Sequence, residues 1–307
     1  MATQIPFLFC RYVAQIEDEV LDAAGTLAAL NELQGKFLPS GPKAERENNP
    51  TIVVMRPRRL TIGDEEVVTW DIGHRSGHRV VADYDAEKQE ISHVVQDDRH
   101  IMHTTIVALP RLGAMAVNDR INALNMGARP ALSRTRAAFR QVENGSFAYW
   151  FLNPGDVAGI VNELDLLEYS YTARRINPTP PTVLAKAFDA SMEQEGIALQ
   201  RGVARPEPGQ SMHAAGGVIE ATSDLVGAGY AVAGFKGTTP TGHLAQIRKP
   251  PFSMDKNENL KQLEREQPLR IFIETEEEDD ALIAGIVAEL VRFYDQHDPS
   301  DIPEEPA

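Results

Sequence analysis

Apolar positions alternate or recur so as to divide the chain into a strand-rich first half and a second half in which strands and helices interleave. The run IPFLFCRYVAQI (5–16) is aromatic and β-branched and reads as a strand bounded by Pro6. Next, DEVLDAAGTLAALNELQGKF places Leu21, Ala24, Ala28 and Leu33 near helical spacing, with Gly35 as the stop. LPSGPKAERENNP has the Pro, Gly and Asn content of a loop. From Thr51 to Val95, β-rich runs interrupted by IGDEE, GHRSGH and YDAEKQ predict antiparallel strands joined by short turns. HIMHTTIVALP and GAMAVNDR, separated by PRLG, predict a hairpin. Alternation puts Ile101, His103, Thr105 and Val107 on one face of its first strand, and His100, Met102, Thr104 and Ile106 on the other.

Residues 121–140 turn helical, with Pro130 and Ser133 as start signals and Arg136 and Arg140 four apart on one face. SFAYWFLNP reads as a buried strand, GDVAGIVNEL as a short helix and LLEYSYTARRINP as a strand ending at Pro178. TPPTVLAKAFDASMEQEGI has Pro at its entrance and Gly at its exit, the punctuation of a helix. SMHAAGGVIEATSDLVGAG predicts another helix, YAVAGFKGTTPTGHLAQIRK a hairpin and PLRIFIETE a strand. EDDALIAGIVAELVRFYDQH predicts a terminal amphipathic helix whose acidic start suits its dipole. This order predicts an α+β fold, with an antiparallel strand-rich N-terminal half and a strand–helix C-terminal half. The expected domains are 1–165 and 166–296, followed by a disordered acidic tail, 297–307.

With 42% hydrophobic and 24% charged residues, the chain has the means to bury a core rather than remain disordered. It lacks the run of ~18–20 apolar residues that crosses a bilayer and a secretory leader pattern, so a cytoplasmic location is the expectation. The single cysteine, Cys10, excludes disulfide scaffolding and a cysteine zinc site, and its apolar surroundings assign it to the core. The net charge of −15 changes the picture once located: residues 251–307 hold 16 acids against 5 bases, a net of −11. Residues 99–140 carry seven arginines, no lysine and one acid, Asp119. Guanidinium groups suit bidentate recognition of phosphate or carboxylate, so Arg129, Arg134, Arg136 and Arg140 are candidate ligand-binding residues.

Five of eight histidines fall between His74 and His103. A histidine zinc site needs three converging ligands, and the His74–His78 spacing spans a turn rather than a helix, so no metal site is assigned. HTTI at His103 fits half of a two-histidine phosphoesterase, but HAAG at His213 and HLAQ at His243 lack the partner hydroxyl. GAGYAVAG precedes a strand rather than linking strand to helix, and neither a phosphate-loop nor a nucleophile-elbow motif occurs, so no cofactor is expected. RRINPTPP brings a strand end with Arg174 and Arg175 to a helix entrance, a second candidate anion site.

The succession LLEYSYTARRINPTPP, LAKAFDASMEQEGI and GAGYAVAGFKGTTPTGHLAQIRKPPF, with the HIMHTTIVALPRLGAMAVNDR hairpin, resembles a loosely defined family of uncharacterised bacterial proteins over most of residues 5–250. That resemblance implies a mobile-element or antiphage-defence setting, and it carries no catalytic residues over. The expectation is a non-enzymatic recognition or sensor subunit that works with a partner protein and contacts an anionic, phosphate-containing ligand or partner through its arginines. Two alternatives stand beside it. One is a metal-dependent phosphodiesterase or nuclease using His100, His103 and Asp97; the other is a docking or nucleic-acid-mimicking surface on the acidic C-terminal segment. Whether nucleic acid is itself a partner stays open.

Overall fold

A computed structural model describes residues 3–46, 50–75, 79–85, 90–96, 101–122, 124–151, 161, 164–175, 182–214, 216–249, 268–275 and 280–294. The fold is α+β, with antiparallel strand pairing and helices more prominent in the second half. The chain divides into two compact units, one of residues 12–149 and the other of residues 1–11 with 150–307. Strand β1 (Thr3–Ile16) gives its first half to the second unit and its later half to the first.

In the 12–149 unit, β1 is followed across the sheet by β9 (Ala114–Asn118), β8 (Ile101–Leu109), β5 (Glu65–Arg75), β4 (Pro50–Ile62) and β3 (Phe37–Pro39). β2 (Glu19–Val20) and β10 (Gly145–Phe151) also pair with β1, and β6 (Arg79–Asp85) with β7 (Glu90–Gln96) forms a separate hairpin. Register fixes the faces. Trp70 lies opposite Ile106, Ile72 opposite Thr104 and His74 opposite Met102, so these residues share the face packed by α1 (Ala23–Leu33) and α3 (Ala128–Phe139). Leu30, Leu33, Leu132 and Phe139 fill the space between, and Phe147 lies 5.1 Å from Phe139 and stacks on Tyr12 at 5.6 Å. The opposite face carries Thr69, Asp71, Thr105 and His103, as alternation in HIMHTTIVALP predicts.

The other unit orders β12 (Leu199–Ala204), β11 (Asp165–Arg174), β13 (Ala231–Thr238), β14 (Leu244–Ile247), β15 (Arg270–Thr275) and the first half of β1. Ile271 and Ile273 of β15, with Ile5, Phe7 and Phe9, turn toward α6 (Asp280–Tyr294), where Phe9 meets Phe293 edge-on at 5.8 Å. On the same side of the sheet, Tyr169 reaches α5 (Val218–Gly227), its hydroxyl 3.0 Å from Thr222 Oγ1, and Tyr171 meets Phe188 of α4 (Val183–Gln194).

Local chemistry accounts for several departures from the sequence expectations. LPSGPKAERENNP contains a short helix, α2 (Pro42–Arg46), and β3 contributes its start. The helix expected from residue 121 begins at Ala128. Asn122 Oδ1 accepts from the Leu124 and Asn125 amides in a turn that competes with helix, and Asp119 Oδ1 caps Ala128. α5 starts only after Gly217, its cap, because Gly216 takes φ +83°. β10 buries only Phe147 rather than its whole length. Most of GDVAGIVNEL and the acidic tail lie outside the described residues.

Candidate functional site

Tyr169 and Tyr171 point toward helices, so alternation along β11 sends Ser170, Thr172 and Arg174 to the opposite face. Register brings Arg201 of β12 and Val232 of β13 beside Thr172, Gly234 beside Ser170 and Lys236 beside Glu168. Beyond Ile247 the chain turns across this face. It passes so close to Gly234 that a β-carbon there would stand 2.2 Å from the Lys249 backbone nitrogen. That crossing lays Lys249 onto the sheet, where its ammonium donates to Thr172 Oγ1 at 3.0 Å. Thr172 is 1% exposed, so the bond forms under cover. Burial first, and the neighbouring Arg201 charge second, pull the Lys249 ammonium below its ordinary pKa. Arg174, on the same face, stacks over the Tyr230 ring at 5.7 Å.

No family model and no curated protein matches this chain.

The arginines singled out in the sequence are dispersed by the fold. Arg129, Arg136 and Arg140 lie on one exposed side of α3 and its C-cap, while Arg134 turns about 120–160° away by helical geometry and is half-buried. Arg134 donates from a terminal nitrogen to the Pro130 carbonyl at 3.0 Å, and burial pulls its guanidinium below its ordinary range. Arg175 turns back onto α4, 2.8 Å from Glu193 and 4.0 Å from Asp189, so acids of this chain already engage it. Arg174 alone of the pair shares a face with other cations. The RINPTPP turn itself falls largely outside the described residues.

His103 lies opposite Gly73 on the face that carries Asp71, and its backbone N–H donates to Leu124 O at 2.8 Å. Asp71, 3% exposed, accepts from Thr105 at 2.7 Å and from Arg56 at 2.5 Å. Arg56 sits at φ +50° in a bulge of β4, which swings its guanidinium to this acid. Asp97 and His100 lie outside the described residues, and among the described residues no group of three histidine, cysteine or acidic side chains could hold a metal. Cys10 is fully buried, and burial pushes its thiol pKa well up, which suits packing rather than reactivity.

The sequence reading missed a second polar centre. Glu289, fully buried on α6, accepts from Thr239 Oγ1 at 2.8 Å, from Thr241 Oγ1 and from His243 Nδ1 at 2.8 Å. Donation from Nδ1 fixes the imidazole tautomer and leaves Nε2 as the basic nitrogen. The signal lies in ALIAGIVAELV, where one acid interrupts an apolar helix stripe that buries Ile286, Val287 and Leu290. Lys249 was also missed, because the residues it meets in space, Thr172 and Arg201, lie far from it in sequence.

Proposed function

We propose that this chain is a recognition protein whose sheet face opposite α4 and α5, centred on Arg174, Arg201 and Lys249, receives an anionic group of a ligand or partner. Phosphate and carboxylate share the required chemistry. The observation that carries this reading is the Lys249 ammonium laid on a buried hydroxyl beside Arg201. Two like charges brought together under partial burial repel, and an anion between them removes that repulsion. The reading transfers the main binding role from the α3 arginines to this face. A partner protein and the defence setting that the family resemblance implies belong to the same proposal.

Calorimetric titration of the full chain with inorganic pyrophosphate tests it. Saturable binding that weakens with salt and is lost in Lys249→Gln with Arg201→Gln, with the melting temperature kept within about 5 °C of wild type, is the expected outcome. Equal binding by the double variant, or none by the wild type to pyrophosphate or to a dicarboxylate, would remove the proposal.

A further inference from the structure

Strand β12 ends its sheet: β13 is followed by β11 and then by β12, and among the described residues no strand pairs with the outer edge of β12. Register shows which backbone groups that edge offers. The Arg175 N–H donates to Ala198 O at 3.3 Å, and these two residues continue the β11–β12 pairing. Antiparallel pairs alternate between bonded and non-bonded, so Gln200, Gly202 and Ala204 bond to β11, while the N–H and C=O groups of Leu199, Arg201 and Val203 point away from it. The other side of β11 agrees. The Arg174 N–H donates to Tyr230 O at 3.1 Å, so Arg174, Thr172 and Ser170, the partners of Leu199, Arg201 and Val203, turn their backbone to β13. The outward groups of Leu199 and Val203 meet no partner among the described residues. Val203 is also 60% exposed, an apolar side chain beside open backbone.

Backbone groups of this kind are completed by a further strand, which adds main-chain hydrogen bonds and lays alternate side chains on each face of the sheet. In an added strand, the residues bonded to Leu199, Arg201 and Val203 stand opposite them, and their side chains fall on the face that carries Thr172 and Lys249. That face is cationic at its rim, where Arg201 is exposed and Lys249 lies over the next strand. A second copy of β12 fits it badly. In each antiparallel register that pairs two or more of these three residues with their counterparts, Arg201 lies opposite or diagonally beside its own copy. A carboxylate in the same place is attracted instead. We propose that β12 is the docking edge for an extended acidic segment of a partner protein, which adds as a further strand and sets carboxylates at alternate positions against Arg201. This rests on the reading of the Arg174, Arg201 and Lys249 face as an anion receiver, and it names the anion as a glutamate or aspartate side chain.

The test titrates the full chain with a fluorescent, end-blocked peptide of six residues, the length of β12, alternating glutamate with threonine, and reads anisotropy. Saturable binding is expected, weakened about tenfold or more by lysine in place of glutamate and by N-methylation at the glutamates, whose N–H groups face the edge. N-methylation at the threonines, whose N–H groups face away, should leave it unchanged. In the protein, Val203→Pro removes an outward N–H that β11 does not use, so it should weaken the peptide about tenfold and leave pyrophosphate binding as in wild type. If that variant fails to fold, the two N-methylated peptides decide by themselves. Wild type that binds pyrophosphate but not the glutamate peptide, or that binds both N-methylated peptides equally, would show that the edge is not used, while the anion reading of the face survives. Equal binding of the lysine peptide would refute the acidic partner. Binding of neither pyrophosphate nor peptide would overturn both readings.

Discussion

Adding one methyl group at Gly234 tests how the chain is held across the sheet face that carries Thr172. In Gly234→Ala the new β-carbon would lie 2.2 Å from the Lys249 nitrogen and 2.8 Å from both the Ile247 oxygen and the Lys249 α-carbon. All three are backbone atoms, so no rotamer change relieves the overlap, and residues 247–249 must move by about 1 Å to restore ordinary contact. That movement pulls at the Phe235–Ile247 end of the β13–β14 ladder and withdraws Lys249 from Thr172. Overpacking of this kind costs about 1–3 kcal/mol, and the lost charge-assisted bond brings the total to about 2–4 kcal/mol. For a cooperative unit of this size the melting temperature should fall by roughly 5–15 °C. Gly227, on α5, provides the control: nothing lies within 4 Å of its missing β-carbon, so Gly227→Ala should be neutral or stabilising by up to about 1 kcal/mol. Both variants would be measured by urea denaturation and by thermal melting. Equal stability of Gly234→Ala and wild type would refute the close crossing, and with it the placement of Lys249.

Three further outcomes are expected. Burial, followed by the Arg134 charge, holds the His74 ring below its ordinary pKa near 6.5, with a hydrogen bond to the Thr51 backbone opposing them. The unfolded chain therefore takes up a proton that the folded chain resists. His74 lowers stability in acid, and stability recovers as pH rises toward 6.5; Arg134→Met should flatten this dependence in urea titrations between about pH 5 and 7, whereas an unchanged slope would exclude the pair. Asp71→Asn should cost about 1–2 kcal/mol, because Arg56 is 73% exposed in its side chain and keeps its hydration, and a double-mutant cycle with Arg56→Ala should recover the coupling; strict additivity would show that the pair contributes nothing. Glu289→Ala should cost about 2–4 kcal/mol and release the His243 tautomer, read from imidazole nitrogen shifts, while an unaltered tautomer would place its control elsewhere.

The elements were legible where one physical signal dominated. HIMHTTIVALPRLGAMAVN reads directly as a hairpin because PRLG supplies the turn and alternation supplies the faces, and register confirms Thr105 beside Asp71 and Thr104 beside Ile72. α4 was equally plain, with Thr182 capping the Ala185 amide after the proline run. β12 was missed because LQRGVA has little apolar alternation. Its Gly202 is set by tertiary packing: a β-carbon there would stand 2.5 Å from the Tyr171 ring, 31 positions earlier. The sites were less legible than the fold. Seven arginines within 42 residues suggested one patch, but α3 turns Arg134 inward while Arg129, Arg136 and Arg140 face out. Conversely, Thr172, Arg201 and Lys249 form one patch although they come from three distant segments, because antiparallel pairing and the crossing at Gly234 bring them together. Composition registers charge but not its direction in space.

The division of β1 bears on the order of events during synthesis. Residues 12–149 are contiguous, and their unit can close its ladders soon after they leave the ribosome. The first half of β1 waits much longer, since Gln4 pairs across to Glu274, 270 residues away. At ordinary elongation rates that interval is roughly 15–50 s. Throughout it, IPFLFC presents an apolar strand with its β15 partner still unmade, the kind of open edge that recruits other chains. Nascent-chain crowding, chaperone supply and translation speed should therefore govern the yield of folded protein more strongly than its equilibrium stability does.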